Sequence, residues 1–128
     1  MNAFIVEDSV TMRSRLTAAF EEVPGVRVVG EGDRKDAALF AIERVRPDLV
    51  VVDLRLAEGS GLTLIEDLKR LDPAPIVAVL TNYPYVQYRD RCLELGADYF
   101  FDKAAGLDAL LGIARRMVRD AKRQGACA

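Results

Sequence analysis

The sequence predicts a single doubly wound α/β domain, with five parallel strands in the order 2-1-3-4-5 and helices on both faces of the sheet. Three observations predict it. Five short apolar runs recur along the chain, and they are continuous rather than alternating, the pattern of strands covered on both faces. Segments with helical spacing of apolar residues separate them. Proline and glycine fall at the junctions between the two kinds of segment. Strands alternating with helices build a parallel sheet, and right-handed crossovers leave few arrangements of it. In such folds ligands bind beyond the carboxyl ends of the strands, where the order reverses, here between the first and third strands.

The first strand is read at residues 3–6. Ser9 caps the next helix, whose apolar face is Leu16, Ala19, Phe20 and Val23, and Pro24-Gly25 ends it. The second strand is read at 26–29. The second helix carries Ala38, Ala41, Ile42 and Val45 on one face and closes before Pro47. The third strand, 49–52, ends at Asp53. Gly59-Ser60-Gly61 leads into a helix marked by Leu62, Ile65 and Leu68, which Asp72-Pro73-Ala74-Pro75 stops. The fourth strand is read at 76–80. Pro84 suits the first turn of a weaker helix marked by Val86, Arg89 and Leu93, with Tyr85, Tyr88 and Cys92 beside them, and Gly96 comes after its last turn. Tyrosines at this spacing read as half-buried packing. The fifth strand is read at 99–101. Leu107, Leu110, Leu111, Ala114, Met117 and Val118 give the clearest stripe, ending near Ala121. The domain is therefore drawn at 1–121 with a short tail at 122–128.

Composition narrows the function. The 18 basic and 20 acidic residues give a net charge of −2, so the domain as a whole has no electrostatic attraction to nucleic acid or an anionic membrane. The locally basic stretch 115–123 reads as a solvated helix face. Two cysteines, Cys92 and Cys127, do not make a disulfide framework. No apolar run approaches the roughly 20 residues of a membrane span. Met1-Asn2-Ala3 leads into a strand rather than a signal core, which places the protein in the cytoplasm. The chain contains no histidine, which excludes a Ser-His-Asp triad, a Cys-His pair and a His-ligated zinc site within it.

The residues just past the strand ends carry the chemistry. Glu7-Asp8 come after the first strand, Asp53 after the third, Thr81 after the fourth, and Asp102-Lys103 after the fifth. In a parallel sheet all of these emerge at one edge, and the three acids Glu7, Asp8 and Asp53 meet at the switch point. Carboxylates so placed repel one another. A hard divalent cation with oxygen ligands and open positions for phosphate oxygens, Mg2+, relieves the repulsion, with a backbone carbonyl after the third strand completing its cage. Thr81 offers a hydroxyl to an incoming oxyanion and Lys103 a fixed positive charge. The set suits phosphoryl transfer to a carboxylate nucleophile. Taken singly, each residue has a plainer reading: Asp8 as a helix cap, Thr81 as a turn hydroxyl, Lys103 as a surface lysine.

Over nearly its whole length the chain resembles the response-regulator receiver family, with its flavodoxin-like (βα)5 fold. The matching pieces are Ile5-Val6-Glu7-Asp8-Ser9, Pro47-Asp48-Leu49-Val50-Val51-Val52-Asp53-Leu54, Val79-Leu80-Thr81-Asn82 and Gly96-Ala97-Asp98-Tyr99-Phe100-Phe101-Asp102-Lys103. The resemblance implies that Asp53 is the phosphoacceptor and that Glu7 and Asp8 are the metal-binding pair, Asp8 the direct ligand. It makes the carbonyl of Arg55 the backbone ligand. Thr81 is the hydroxyl that moves to the phosphoryl group, Lys103 the lysine that contacts it, and Phe100 the aromatic that turns inward with Thr81.

Four positions depart from the family pattern. Glu7 stands where Asp is commoner and is expected to serve through water. Asn82 stands where a smaller residue is usual and narrows access to the acyl phosphate. Ala104 comes after Lys103 where proline is usual; a cis bond without proline costs about 2.5–4 kcal/mol, so a trans bond is expected. Phe100 lacks the hydroxyl of the frequent tyrosine. Arg55 and Tyr83, two residues after Asp53 and Thr81, flank the family's route for attacking water and are expected to slow dephosphorylation; the plainer reading turns both to solvent.

The resemblance also implies partners: a sensor histidine kinase or histidine phosphotransfer protein as donor, and a downstream protein target bound through helix 4, strand 5 and helix 5, near Tyr83, Tyr85 and Tyr88. The protein is expected to be a signalling switch rather than an enzyme, acting without an attached output domain, as a monomer or a phosphorylation-dependent dimer. Two alternatives stay open. One is a Mg2+-dependent phosphatase or phosphotransferase for small molecules, although no second acid stands two residues after Asp53. The other is a receiver fold used as a constitutive, phosphorylation-independent interaction module.

Overall fold

The computed structural model describes residues 1–56 and 59–127, with side chains of the last helix described as far as Arg123. Its elements are β1 (Asn2–Val6), α1 (Val10–Glu21), β2 (Arg27–Gly32), α2 (Lys35–Val45), β3 (Leu49–Val52), α3 (Gly61–Lys69), β4 (Ile76–Thr81), α4 (Val86–Glu94), β5 (Tyr99–Asp102) and α5 (Leu107–Cys127). The sheet is wholly parallel, in the order β2-β1-β3-β4-β5. This is the predicted doubly wound, flavodoxin-like architecture.

Alternation along the strands divides the core in two. Ile5, Val51, Ala78 and Leu80 face Leu16, Phe20, Leu110 and Ala114 of α1 and α5. Phe4, Val6, Val50, Val52 and Val79 face Ala38, Ile42, Leu64, Ile65, Leu68 and Cys92 of α2, α3 and α4. Burying each such large side chain contributes about 1.5–3 kcal/mol, which is why the interiors of β1, β3 and β4 carry no polar residue.

Register sets the site. Val6 pairs with Val52, so the residues after β1 and β3 leave the sheet side by side. Val52 pairs with Val79, and β4 runs two residues further to Thr81, which pairs with Asp102. Ser9 caps α1 by accepting the Met12 N–H at 3.2 Å. Ser60 caps α3 through the Leu62 N–H. Gly96, at φ 107°, closes α4: its N–H bonds the Leu93 carbonyl and the Ala97 N–H bonds the Cys92 carbonyl.

Besides shifts of one residue at the ends of β1, β4 and β5 and an exposed Val45 on α2, four details differ from the sequence reading. β2 starts one residue later and continues through Gly30, Glu31 and Gly32; Gly30 has to be glycine because a Cβ there would lie 2.5 Å from the Phe4 ring. Pro84 lies before the cap residue Tyr85 rather than inside α4, because the chain first closes a turn on the Thr81 hydroxyl. The inward residue of α4 is Cys92, while Val86 and Leu93 are exposed, as are Tyr85 and Tyr88. Finally, α5 does not stop near Ala121 but continues through the predicted tail to Cys127; Arg119, Ala121, Lys122 and Arg123 are good helix formers, and neither Gly nor Pro stands among residues 119–123. Among the described residues no helix is long and apolar enough to cross a membrane.

Candidate functional site

The sheet ladder continues one residue past three strands, and this extension aims the site. The Glu7 N–H donates to the Gly32 carbonyl, the Asp53 N–H to the Val6 carbonyl and the Lys103 N–H to the Thr81 carbonyl, at 2.9, 2.9 and 2.8 Å. Glu7, Asp53 and Thr81 are thereby buried polar residues at the carboxyl edge of an otherwise apolar sheet. Such groups persist in a core only when partnered. Each is.

Lys103 Nζ donates to Glu7 Oε1 at 2.5 Å and to Asp53 Oδ2 at 3.2 Å. Asp53 Oδ1 accepts the Arg55 N–H at 3.3 Å, and Glu7 Oε2 accepts the Asp8 N–H at 3.1 Å. Carboxylate oxygens of Glu7, Asp8 and Asp53, one from each, lie within 4.8 Å of one another, with Asp8 exposed. Three acids stand here against one lysine, a surplus of acidic groups over basic ones. An all-oxygen donor set with that surplus fits a divalent hard cation.

Electrostatics follow from the burial. Desolvation pushes the Glu7 carboxyl from 4.5 up to about 8; the neighbouring Asp53 adds to the rise and Lys103 opposes it. At Lys103 burial works against the charged form, but the hydrogen bond to Glu7 and the charge of Asp53 outweigh it and hold the ammonium above its usual range. The two shifts pull on one contact in opposite senses, Lys103 favouring an ionised Glu7. For Glu7 burial is the larger effect, since its side chain is 1% exposed.

Thr81 is fully buried, and its Oγ1 accepts the Tyr83 N–H at 3.0 Å. Phe100 is half-buried against the α2–α4 core. Asn82 is exposed and lines a cavity of about 270 Å³ with Glu7, Ser9, Met12, Lys103 and Leu107. The side chains of Arg55 and Tyr83 do not both turn away into solvent; they stack on one another, the guanidinium 4.5 Å from the ring centroid. The Lys103–Ala104 bond is trans, the one cis bond among the described residues being Asp72–Pro73. The Ala104 N–H accordingly donates to Asp102 Oδ1 at 2.9 Å.

Two contributors escaped the sequence reading. Arg13, on α1, donates from Nη1 to the Glu7 carbonyl at 2.7 Å and pins the turn that presents the acid pair; nothing in its sequence surroundings separates it from the other arginines. Gly61 packs under the site loop, where a Cβ would lie 2.3 Å from the Asp53 carbonyl oxygen; a glycine opening a helix just after a strand-end acid was the available hint.

The family model of the response regulator receiver domain matches residues 3–115. A protein-glutamate methylesterase/protein-glutamine glutaminase of Treponema pallidum (strain Nichols) is 34% identical over 118 residues, which are 89% of this chain and 29% of that protein. The chain spans less than a third of the length of the curated methylesterases it matches. The signal receiver domain of a DNA binding response regulator from Colwellia psychrerythraea superposes with a TM-score of 0.85 at 22% identity, covering 93% of this chain and 98% of that one. A response regulator from Burkholderia pseudomallei, solved with a phosphorylated aspartic acid, a calcium ion and citrate, gives a TM-score of 0.78 at 26% identity, covering 98% of this chain and 73% of that one.

Proposed function

The chain belongs to the response regulator receiver family, the signalling switches of two-component phosphorelays, and we propose that Asp53 accepts a phosphoryl group from a histidine of a separate sensor kinase or phosphotransfer protein. The observation that carries this reading is the setting of Asp53: buried at the end of β3, held by Lys103 Nζ at 3.2 Å and the Arg55 N–H at 3.3 Å, beside two further acids. The phosphorylated aspartic acid and calcium ion of the Burkholderia pseudomallei relative support the same chemistry here.

Mg2+ fits the donor set, with Asp8, Asp53 and the Arg55 carbonyl as direct ligands and Glu7 as the outer acid. When bound, it supplies charge neutralisation for the phosphoryl oxygens. An Asp53 carboxylate oxygen forms the new P–O bond as the P–N bond of the phosphohistidine breaks, and the released imidazole takes a proton from solvent. Lys103 neutralises charge developing on the phosphoryl group. Thr81 leaves the Tyr83 N–H and donates its hydroxyl to a phosphoryl oxygen, and Phe100 moves into the space this opens. The face of α4, β5 and α5, where Tyr85 and Tyr88 are exposed, then changes its affinity for a protein partner through the differential stability of two states. The stack of Arg55 on Tyr83 shields the acyl phosphate from water. In this reading residues 1–121 are the receiver proper, acting in the cytoplasm.

Intact mass after incubation with Mg2+ and a small-molecule phosphodonor tests the proposal. One phosphoryl group is expected on the wild type, none on Asp53→Asn, and none after chelation. If neither that donor nor a phosphorylated kinase labels Asp53, the constitutive-module reading replaces this one.

A further inference from the structure

The second half of α5 carries a run of positive charge that the chain does not neutralise. Arg115, Arg116, Arg119, Lys122 and Arg123 are all exposed, against the single acid Asp120. Arg116 donates from Nη2 to the Tyr99 hydroxyl at 2.7 Å; the side chains of Arg115, Arg119, Lys122 and Arg123 have no polar partner among the described residues. At 3.6 residues per turn, Lys122, Arg115, Arg119 and Arg123 fall in that succession round the helix between Val118 and Arg116. Val118 packs inward, close to Gly25 in the turn after α1, and Arg116 leans to β5. The four between them therefore form a ridge along the outer side of α5. Within it Arg119 stands four residues from both Arg115 and Arg123, a spacing at which like charges repel and weaken a helix. Apart from Arg115, the ridge lies beyond residues 3–115, the part that the family model matches.

We propose that this ridge is a docking site for a short acidic segment of a partner protein. Charge and size select that occupant. Residues 115–123 hold five basic residues and one acid, while the rest of the chain holds 13 basic and 19 acidic. From Arg115 to Arg123 the ridge is about 12 Å long. A nucleic-acid duplex or a bilayer reaches past it onto the acid-rich remainder and is repelled there. A peptide of about eight residues, even fully helical, covers no more than the ridge. Single-stranded nucleic acid is held by stacking on aromatic rings, and α5 has no aromatic residue. A helix lying on a membrane needs a free apolar face, whereas Leu110, Ala114 and Val118 are spent against the sheet. Three of the four ridge residues are arginines, whose planar guanidinium can give two hydrogen bonds to one carboxylate. Carboxylates laid along the ridge also relieve its own repulsion. The site needs no phosphoryl group on Asp53, since no hydrogen bond or ion pair joins the ridge to Glu7, Asp53, Thr81 or Lys103.

Fluorescence anisotropy of a labelled peptide of about eight glutamates, titrated with the unphosphorylated full chain, tests the site. The wild type is expected to bind it, more weakly as salt rises. R119E is expected to weaken binding by about fivefold or more, and R115E/R119E by about tenfold or more. R44E makes the same change of net charge on α2, at an exposed arginine outside the ridge, and is expected to stay within about twofold of the wild type. Where R119E lowers helix content by circular dichroism, R119A decides: it removes the charge with a good helix former and is expected to weaken binding by about twofold or more, with R44A unchanged. A wild type that does not bind the peptide overturns the proposal, as does an equal loss in R44E and R119E. Tighter binding of duplex DNA or of phosphatidylserine vesicles than of the peptide at the same salt, lost in R119E, assigns the ridge to those partners and overturns it too. So does a concentration-dependent dimer in sedimentation that R119E abolishes, which gives the ridge to a second copy of the chain. None of these outcomes touches the phosphorylation of Asp53, which the mass measurement decides separately.

Discussion

The Arg55 guanidinium lies over the Tyr83 ring, 4.5 Å from its centroid, and each of these residues also gives its backbone N–H to a side-chain oxygen of the site. The stack therefore ties the loop after β3, which holds Asp53, to the loop that follows Thr81 at the end of β4. A cation–π contact at an exposed position is worth about 0.5–1 kcal/mol. If it shields the acyl phosphate, Arg55→Ala and Tyr83→Ala each shorten its lifetime about two- to fivefold, and the double variant shortens it no more than either single. Phosphate release from purified phosphoprotein measures this. An unchanged lifetime in the double variant removes the shield.

Burial of Glu7 predicts a pH dependence with a definite sign. Its carboxyl rises from 4.5 in the unfolded chain to about 8 in the fold, so within that window the folded state holds a proton that the unfolded state has lost. The cation-free protein therefore loses stability as pH rises from 4.5 towards 8, by at most about 1.4 kcal/mol per pH unit from this group. Urea unfolding in chelator across pH 5–8 is expected to show the fall, and added Mg2+ to flatten it. Stability that rises through the same window contradicts the assignment.

Gly61 is expected to tolerate no side chain. Its Cβ would meet backbone, the Asp53 carbonyl oxygen at 2.3 Å and the Leu54 Cα at 2.7 Å, so nothing flexible can give way. Gly61→Ala should destabilise by about 1–3 kcal/mol, the cost of overpacking, and should lower the rate at which Asp53 is phosphorylated because the loop that aims it must shift. Denaturant midpoints and phosphorylation kinetics check the two parts.

In the proposed mechanism Thr81 separates acceptance from signalling. Its hydroxyl bonds the Tyr83 N–H rather than the Asp53 carboxylate, so Thr81→Val is expected to leave Asp53 phosphorylatable. The nearly isosteric valine removes the hydroxyl that, in the proposed mechanism, carries the message to Phe100. Spectra of Phe100 recorded before and after phosphorylation should then coincide in the valine variant and differ in Thr81→Ser. A phosphorylation-dependent change that survives in the valine variant would falsify the route through Thr81.

Local sequence signals were enough for the alternation of strands and helices, the two-sided core and the strand-end positions of Glu7, Asp8, Asp53, Thr81 and Lys103, and the crossover rules left few sheet orders to choose from. A continuous apolar run ends where the first polar residue appears, and parallel pairing brings all such ends to one edge. Where those signals were weak the reading went astray, turning Val86 and Leu93 inward on α4 instead of Cys92 and stopping α5 short of Cys127. The partners emerged only from the folded chain: Glu7 with Lys103, Arg13 with the Glu7 carbonyl, Arg55 with Tyr83. Those pairings depend on side-chain reach between loops and on which charges are shut away from water, and both are settled only once the strands have brought distant residues to the same edge.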